Sequence, residues 1–349
     1  MLPRFLVPQT HADQNRAPEQ VRCALPSIGE TSATLSDLPP TTRRQFLART
    51  ASVGALLCTA SKPLFAANRA PDLHFPSRPR ERIAIASYPF RNFIAGKENK
   101  SPHPIELKNF AAYVIEKFNV NKIEPWTGHF PSSDPKYLEQ FRAALEQVKG
   151  AVVNIAVDGE HSPYALDRGE RERAIAFSKR WIDAAPAIGS PSIRTNLPTA
   201  KDSKPDLNRT SESLKQVVEY AESKSVVVNL ENDNPVSEDP FFLIQVIERV
   251  NSPWLHALPD FANTLLSSDD PERAYRGVDS MFGHAYCISH VKAGETSEKG
   301  KSVHVDLART FGFAKTHGYK GYFSMEFDSP GDPDSGTKDL IEKTIRHLP

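Results

Sequence analysis

The sequence has few cysteines, no excess of charge of either sign and no long apolar run. Its 349 residues include 43 Lys and Arg against 43 Asp and Glu, so no basic surplus indicates a nucleic-acid or acidic-membrane partner. The uncharged stretch over residues 50–61 is too short to span a bilayer, which needs about 20 apolar residues. Two of the three cysteines precede residue 66, and Cys287 alone cannot form an internal disulfide. We therefore expect a globular protein with no nucleic-acid partner and no stable membrane insertion.

Residues 1–66 have the composition of a leader rather than that of a folded domain. The first 40 residues are rich in Pro, Thr, Ser, Gln and Ala, and Arg43 and Arg44 then precede a short apolar stretch over residues 51–57. A basic start, a short apolar region and small residues at the exit are typical of an export signal, and the paired arginines resemble a twin-arginine (Tat) signal. We expect a disordered or removed leader that brings the chain, through the Tat export machinery, to the periplasm or another exported location, followed by a linker over residues 67–80.

The remaining chain, residues 81–349, alternates between two kinds of segment. Apolar runs typical of strands are separated by segments in which apolar residues recur every three or four positions, for example over residues 107–118 and 242–250. The strand-like runs span residues 82–90, 122–126, 151–158, 192–197, 225–231, 255–260, 285–291 and 321–327. Eight strands that alternate with helices predict a single-domain α/β fold, a (β/α)₈ TIM barrel. A doubly wound open sheet is the alternative, but it would usually have a glycine-rich turn where this chain has residues 87–91, SYPFR.

Each of the last four predicted strands ends in an ionisable side chain. These side chains are Glu231, Asp260, His290 and Glu326, and their spacings of 29, 30 and 36 residues equal one strand–helix unit each. Such side chains would converge at the carboxyl end of a barrel, where barrel enzymes carry their active sites. Three carboxylates and one imidazole suit Mn²⁺, Mg²⁺ or Co²⁺ better than structural zinc. The alternative, four isolated polar residues that cap turns, does not predict their shared strand position.

The Glu, Asp, His, Glu succession resembles the xylose isomerase-like barrels, in particular the sugar (phosphate) isomerase/epimerase branch, over about residues 82–348. The resemblance implies that Glu231, Asp260, His290 and Glu326 bind one divalent metal ion, most often Mn²⁺, with Mg²⁺, Co²⁺ and Zn²⁺ as alternatives. It also implies that Glu231 and Glu326 are catalytic: one removes the proton next to a carbonyl and the other returns a proton. Independently of the resemblance, an enediolate needs an electrophile on its oxygens and a base close to the C–H bond.

Two positions depart from the pattern of that family. Asn263 stands where the epimerases usually carry a His, and Lys292 stands near the place of an Arg; both family residues grip substrate oxygens. We expect Asn263 and Lys292 to bind substrate, and their departure from the pattern disfavours a standard free ketose or sugar phosphate. Glu124, Trp126 and His129, which follow the second strand, are further candidate substrate-binding residues. Trp126 could stack on a sugar or cover the barrel top, and Glu124 could act as a second acid or form a structural hydrogen bond.

The function expected from these features is a metal-dependent isomerase or epimerase that acts on a free sugar or keto-sugar through an enediolate. An exported protein meets few sugar phosphates, so a free carbohydrate, a sugar acid or a 3-keto-glycoside is the favoured small-molecule substrate. Elimination from a 3-keto-glycoside at the same metal site is one alternative, and an exported barrel that binds sugar without turnover is another. An endonuclease IV-like barrel would need a histidine-rich trinuclear zinc site and a basic face, and the sequence shows neither. Assembly of identical chains is compatible with all of these.

Overall fold

The structure, a computed structural model, describes residues 70–348. The predicted leader with its export signal lies outside the described residues, and the predicted linker is described only from residue 70 onwards. Among the described residues, no helix is both long enough and apolar enough to cross a bilayer.

Parallel strands form a barrel that is covered by helices. The strands are β1 (Ile83–Ala86), β2 (Lys122–Glu124), β3 (Ala151–Val152), β4 (Ile155–Val157), β5 (Ser192–Thr195), β6 (Val227–Glu231), β7 (Leu255–Leu258), β8 (Ile288–Val291), β9 (Gly294–Thr296), β10 (Ser302–His304) and β11 (Tyr322–Met325). One sheet has the order β3-β2-β1-β11-β8 and the other has the order β4-β5-β6-β7. Single bridges between Trp126 and Ala156, and between Asp260 and His290, connect the two sheets. The barrel prediction is confirmed, and the antiparallel pair β9–β10 is an addition that the sequence analysis did not predict.

The third predicted strand is interrupted in the structure. Residues 151–158 form β3, which pairs with β2, and β4, which pairs with β5. Asn154 lies between them with its side chain fully buried; its Nδ2 donates to Glu124 Oε1 at 2.7 Å and its Oδ1 accepts from Ser192 Oγ at 2.7 Å. The buried amide is therefore satisfied by side chains of neighbouring strands, and the prediction of one continuous strand is wrong.

Apart from β3, which leads directly into β4, each barrel strand is followed by at least one α-helix before the next barrel strand. The helices are α1 (Phe110–Phe118), α2 (Pro135–Gln147), α3 (Arg168–Ala187), α4 (Leu207–Ser223), α5 (Pro240–Val250), α6 (Asn263–Ser267), α7 (Pro271–Phe282), α8 (Leu307–Thr316) and α9 (Pro333–His347). Six of them begin after an Asp whose carboxylate accepts a backbone N–H of the first turn, which satisfies one of the free donors there. Short 3₁₀ turns take up the ends of two predicted segments, Tyr88–Phe90 after β1 and Leu107–Asn109 before α1.

Alternation along the strands decides which side chains reach the barrel interior. In β6, Val228 and Leu230 are fully buried in the main apolar core. Asn229, between them, has the opposite orientation. Its Nδ2 donates at 3.3 Å to Oδ1 of Asn154, which lies between β3 and β4. Glu231 shares the face of Asn229 because successive strand residues point to opposite sides. The polar face of β6 therefore delivers a carboxylate to the carboxyl end of the barrel.

Candidate metal centre

Residues from four consecutive barrel strands meet at the carboxyl end of the barrel. Glu231 is the last residue of β6, His290 lies within β8, and Asp260 and Glu326 follow β7 and β11. One nitrogen or oxygen atom of each lies within 4.8 Å of those of the other three, and all four residues are buried. The structure therefore brings together the four residues that the sequence singled out, and this group could hold a metal ion.

Carboxylates orient the imidazole of His290 at both ring nitrogens. Nδ1 lies 2.7 Å from Glu231 Oε1 and 3.3 Å from Glu326 Oε2, whereas Nε2 lies 2.9 Å from Glu124 Oε2. Burial lowers the pKa of His290, but the attraction of these carboxylates outweighs burial and holds that pKa well above its ordinary value. Nδ1 is therefore the nitrogen that faces the cluster, and the carboxylate on Nε2 fixes the ring.

Glu124 lies behind the imidazole and not on the wall of a substrate cavity. Its side chain is fully buried, Oε1 accepts a hydrogen bond from Asn154 Nδ2, and Oε2 contacts His290. Burial raises the pKa of Glu124, but the attraction of His290 lowers this pKa by more than burial raises it. The pKa of Glu124 therefore lies below its ordinary value. The sequence placed Glu124 among the substrate-binding residues. The structure instead gives it the position of a carboxylate that supports a metal-ligating histidine.

Asp260 has one engaged oxygen and one that is available to a cation. Oδ1 accepts backbone N–H bonds from Ala262 at 2.8 Å and from Asn263 at 2.7 Å. Oδ2 is buried and has no hydrogen-bond partner among residues 70–348; Lys292 Nζ pairs with it at 3.5 Å. Burial raises the pKa of Asp260 to about 6, although Lys292 acts in the opposite direction. A buried carboxylate oxygen without a donor, beside three further ligand atoms, fits a divalent cation.

Arg194 in β5 holds one oxygen of Glu231. The guanidinium Nε lies 2.9 Å from Glu231 Oε2, and the same side chain also pairs with Asp158 after β4. Burial lowers the pKa of Arg194, but Asp158 and Glu231 raise it well above its ordinary value, so the side chain stays charged. Glu231 therefore directs Oε1, and not Oε2, towards His290. Arg194 was not predicted from the sequence, although a charged residue inside an otherwise uncharged strand is a signal that could have revealed it.

Lys292 is a second buried cation at the site. Its Nζ donates to Asn263 Oδ1 at 2.7 Å and lies 3.1 Å from Glu295 Oε2 and 3.4 Å from Glu326 Oε2. Burial lowers the pKa of Lys292, but Asp260 and Glu326 raise it well above its ordinary value. The ammonium group therefore stays charged beside two of the candidate ligands.

A cavity of about 140 Å³ adjoins the cluster. Its wall is formed by Tyr88, Trp126, Ala156, Asp158, Arg194, Glu231, Asp233, Asn263, Lys292, Glu295, Glu326 and Asp328. Trp126 is fixed there because its Nε1 donates to Asp158 Oδ2 at 2.6 Å and Tyr88 packs edge-on against it, with 5.3 Å between ring centres. Trp126, Asn263 and Lys292 thus lie where the sequence predicted contact with a substrate. Asp158, Glu295 and Asp328 were not predicted, and only Asp158, at the end of a strand-like run, has a sequence signal.

His129 lies outside this cavity. Its imidazole is buried, with Nδ1 2.9 Å from Ser87 Oγ, and it packs edge-on against Trp126 with 4.9 Å between ring centres. Burial lowers the pKa of His129 to about 4, so the ring is neutral at neutral pH. The structure places His129 on a different cavity because the chain enters the 3₁₀ turn Thr127–His129 directly after the indole.

The fold and the cluster together define a class of protein: a (β/α)₈ barrel with three carboxylates and one imidazole at consecutive strand ends. Residues 113–348 match the family model described as Xylose isomerase-like TIM barrel. This match spans more than half of the sequence, and the chain belongs to the xylose isomerase-like TIM barrel family.

Solved structures with low sequence identity share the fold. A xylose isomerase-like TIM barrel protein from Mycobacterium smegmatis in complex with magnesium is 17% identical, with a TM-score of 0.57 over 76% of this chain and 97% of that chain. 3-Keto-D-glucoside 4-epimerase from E. coli is 16% identical, with a TM-score of 0.54 over 75% of this chain and 98% of that chain. D-Allulose 3-epimerase from Methylomonas sp. is 13% identical, with a TM-score of 0.59 over 79% of this chain and 100% of that chain. A search of curated proteins gave no significant match.

Proposed function

We propose that the protein is a divalent-metal-dependent isomerase or epimerase that acts on a free sugar or keto-sugar. The observation that carries this proposal is the convergence of Glu231, Asp260, His290 and Glu326, with ligand atoms within 4.8 Å of one another. Two of the similar structures are sugar epimerases, which supports a carbohydrate substrate.

The four converging residues would hold the cation. When bound, the ion would supply stabilisation of the negative charge that develops on substrate oxygens during proton abstraction. Three carboxylates and one imidazole favour Mn²⁺, with Mg²⁺, Co²⁺ and Zn²⁺ as alternatives. The magnesium complex of the Mycobacterium smegmatis protein supports a divalent ion in a barrel of this family.

Glu326 and Glu231 are the proposed acid–base pair. Burial raises the pKa of Glu326, but His290 and Lys292 outweigh burial and bring the pKa below its ordinary value, so the carboxylate is ionised at neutral pH. An ionised carboxylate in a closed site can remove a proton from carbon next to a carbonyl group. Arg194 forms an ion pair with Oε2 of Glu231, and Oε1 lies on the side of the cluster. One carboxylate removes the proton and the other returns a proton, to the opposite face or to the neighbouring atom.

The charge of the cavity indicates a substrate without a phosphate group. Six acidic side chains line the cavity, against the two basic side chains of Arg194 and Lys292. Burial raises the pKa of Glu295 to about 7 and also raises the pKa of Asp233, but the four other carboxylates balance the two basic side chains and a divalent cation. The wall therefore has no positive surplus that would attract a phosphate. In this proposal Lys292 and Asn263 bind hydroxyl or carbonyl oxygens of the sugar, and Trp126 presents its ring to the C–H face.

Deuterium exchange tests the proposal. Protein stripped with a chelator and reloaded with Mn²⁺ is incubated in D₂O with keto-sugars, aldo-sugars and 3-keto-glycosides, and NMR follows deuterium uptake next to the carbonyl. We expect uptake only with metal, and a fall of about 10²–10⁴-fold in Glu326→Gln. Glu342→Gln is the matched control, because Glu342 is 71% exposed on α9. Undiminished uptake in Glu326→Gln would remove this carboxylate from the mechanism, and failure to bind any added metal would remove the site.

Elimination from a 3-keto-glycoside is the second candidate reaction. It is favoured by Lys292, whose ammonium group lies 3.4 Å from the carboxylate of Glu326 and so places an acid beside the base. Abstraction of a proton by Glu326 would then be coupled to loss of the glycosidic oxygen, protonated by Lys292. Release of the free aglycone distinguishes this reaction from epimerisation, and tight sugar binding without deuterium uptake would indicate a binding protein.

We also propose export through the twin-arginine pathway, on the sequence of Arg43 and Arg44 alone. Fractionation of cells that express the full chain and its Arg43→Lys/Arg44→Lys variant tests this. We expect the protein in the periplasm and the variant in the cytoplasm; an unchanged distribution would contradict the proposal.

A further inference from the structure

A second cavity, of about 410 Å³, lies at the same end of the barrel. It is formed by the segment that follows β1 and by the segment that follows β2, up to the first turn of α2. Ala95, Leu107, Phe130 and Pro131 give it an apolar wall. Its volume falls within the roughly 300–1,000 Å³ of sites that bind small molecules. The proposed metal chemistry does not use this cavity.

Two buried polar atoms on this cavity lack a partner. Among the described residues, neither His129 Nε2 nor Tyr137 Oη has a hydrogen-bond partner. His129 is 3% exposed, so Nε2 is an unsatisfied atom in the interior. A buried polar group without a partner destabilises the fold unless a ligand or water satisfies it. Both atoms therefore indicate that this cavity receives a hydrogen-bonding ligand.

The hydrogen bonds around Ser87 determine what His129 offers to that ligand. Ser87 Oγ accepts the backbone N–H of Trp126 at 2.8 Å, and it lies 2.9 Å from His129 Nδ1. When the hydroxyl donates its single proton to Nδ1, the neutral imidazole carries its own proton on Nε2. In this tautomer the unpartnered Nε2 of His129 is an N–H donor, and the unpartnered hydroxyl of Tyr137 is a second donor.

One aromatic ring separates the two cavities. Trp126 lines the cavity beside the metal centre, and its other side packs against His129. Gly128 makes this packing tight, because a Cβ at that position would lie 2.3 Å from the Cη2 atom of the indole. The indole of Trp126 therefore lies between the two cavities, and a ligand with groups in both would have to pass the edge of this ring.

We propose that the second cavity is the subsite for the aglycone of a glycoside substrate, an aryl or similarly apolar group that carries a hydrogen-bond acceptor. This inference rests on the proposed function in one respect, namely that the sugar ring occupies the first cavity. The apolar wall fits an aromatic ring, and the two donors fit an ether, carbonyl or phenol oxygen on it. A second sugar ring would bring hydroxyl groups that this wall cannot satisfy. A phosphate would find no Lys or Arg on the wall of this cavity.

Calorimetric titration of the Mn²⁺-loaded protein tests the subsite with defined probes. We expect 4-acetylphenyl β-D-glucoside to bind at least tenfold more tightly than methyl β-D-glucoside, and cellobiose to show no such gain. Tyr137→Phe should lower the affinity for the acetylphenyl glucoside about five- to tenfold and leave the methyl glucoside unchanged. Because the Tyr137 hydroxyl has no partner among residues 70–348, its removal should not impair folding. Tyr220→Phe is the matched control, since that hydroxyl bonds Asp183 on the outer helices.

A second variant and a probe without sugar complete the experiment. Ala95→Phe should fill the cavity and make the aryl and methyl glucosides bind equally. Equal affinity of the two glucosides for the unmodified protein, a preference for cellobiose, or an undisturbed aryl preference in Ala95→Phe would each overturn the subsite. 4-Hydroxyacetophenone alone should bind in a manner sensitive to Tyr137→Phe. If it does so while no sugar exchanges deuterium, the proposed function fails and the subsite stands. If sugars exchange deuterium but the protein shows no preference for the aryl glucoside, the subsite fails and the proposed function stands.

Discussion

Replacement of Glu124 by Gln is expected to weaken Mn²⁺ binding, although this residue touches no substrate cavity. Both of its oxygens accept hydrogen bonds, one from His290 Nε2 at 2.9 Å and one from Asn154 Nδ2 at 2.7 Å. Gln has only one acceptor, so one contact must become donor against donor. Asn154 cannot relieve this by turning its amide, because Oδ1 already accepts from Ser192 Oγ at 2.7 Å and Asn229 Nδ2 at 3.3 Å.

The size of the effect follows from the position of Glu124 behind the imidazole. Removal of a carboxylate that supports a metal-ligating histidine typically costs about 10–100-fold in metal affinity or activity, or about 1.4–2.7 kcal/mol. Calorimetric titration of chelator-treated protein with MnCl₂ measures the affinity, and thermal unfolding without metal shows that the variant is folded. Glu342→Gln serves again as the control. A folded Glu124→Gln that binds Mn²⁺ within twofold of the unmodified protein would refute the reasoning.

Three further variants examine separate features of the structure. His129 is buried with a pKa of about 4 against about 6.5 when unfolded, so its contribution to stability is complete above pH 6.5 and is lost as the pH falls towards 4. We expect a loss of about 2 kcal/mol between pH 7.5 and pH 5 in urea unfolding, and its absence in His129→Gln. Gly128→Ala would place a Cβ 2.3 Å from the indole of Trp126, and it should lower sugar affinity at least tenfold while Mn²⁺ affinity stays unchanged in parallel titrations. Arg194→Met leaves two carboxylates without their cation, and the free energy of unfolding should fall by about 3 kcal/mol. A loss below about 1 kcal/mol in urea unfolding would show that the ion pairs contribute little.

Sequence spacing was sufficient for the cluster because of the geometry of parallel barrels. Each strand–helix unit returns the chain to the same end, so residues one unit apart at strand ends become neighbours. Glu231, Asp260, His290 and Glu326 meet this condition, and no knowledge of side-chain contacts was needed to group them. Strand alternation likewise separates Val228 and Leu230 from Glu231, and in the structure both apolar side chains lie in the main apolar core.

The depth of a side chain along its strand was not accessible from the sequence. Glu124 and Trp126 are two residues apart and share a face, yet Trp126 lines the cavity and Glu124 supports His290 beneath it. The two side chains differ in depth along the barrel axis by the length of two strand residues. Which depth reaches the cavity depends on the stagger of neighbouring strands, and the periodicity of the sequence carries no information about that stagger. His129 lies on a different cavity from Trp126 because the 3₁₀ turn Thr127–His129 follows the indole directly.

Contacts between distant segments explain the remaining errors. The run over residues 151–158 is apolar enough for one strand, but Asn154 interrupts it because its partners are Glu124 and Ser192. Arg194 became a site residue through its pairs with Asp158 and Glu231. Such partners lie at least 30 residues away along the chain, so local pattern alone does not reveal them.

The arrangement of the strands has a mechanical consequence. Glu231 and Asp260 are carried by the sheet that ends in β7, whereas His290 and Glu326 are carried by the sheet that ends in β8. Between these edges only isolated bridges occur among the described residues, and the His290 amide donates to the Pro259 carbonyl at 3.1 Å. A cation held by all four residues would connect the two sheets at this junction between β7 and β8. The amide hydrogen of His290 would then exchange more slowly with solvent. The same ion would complete the proposed active site and stabilise the closure of the barrel.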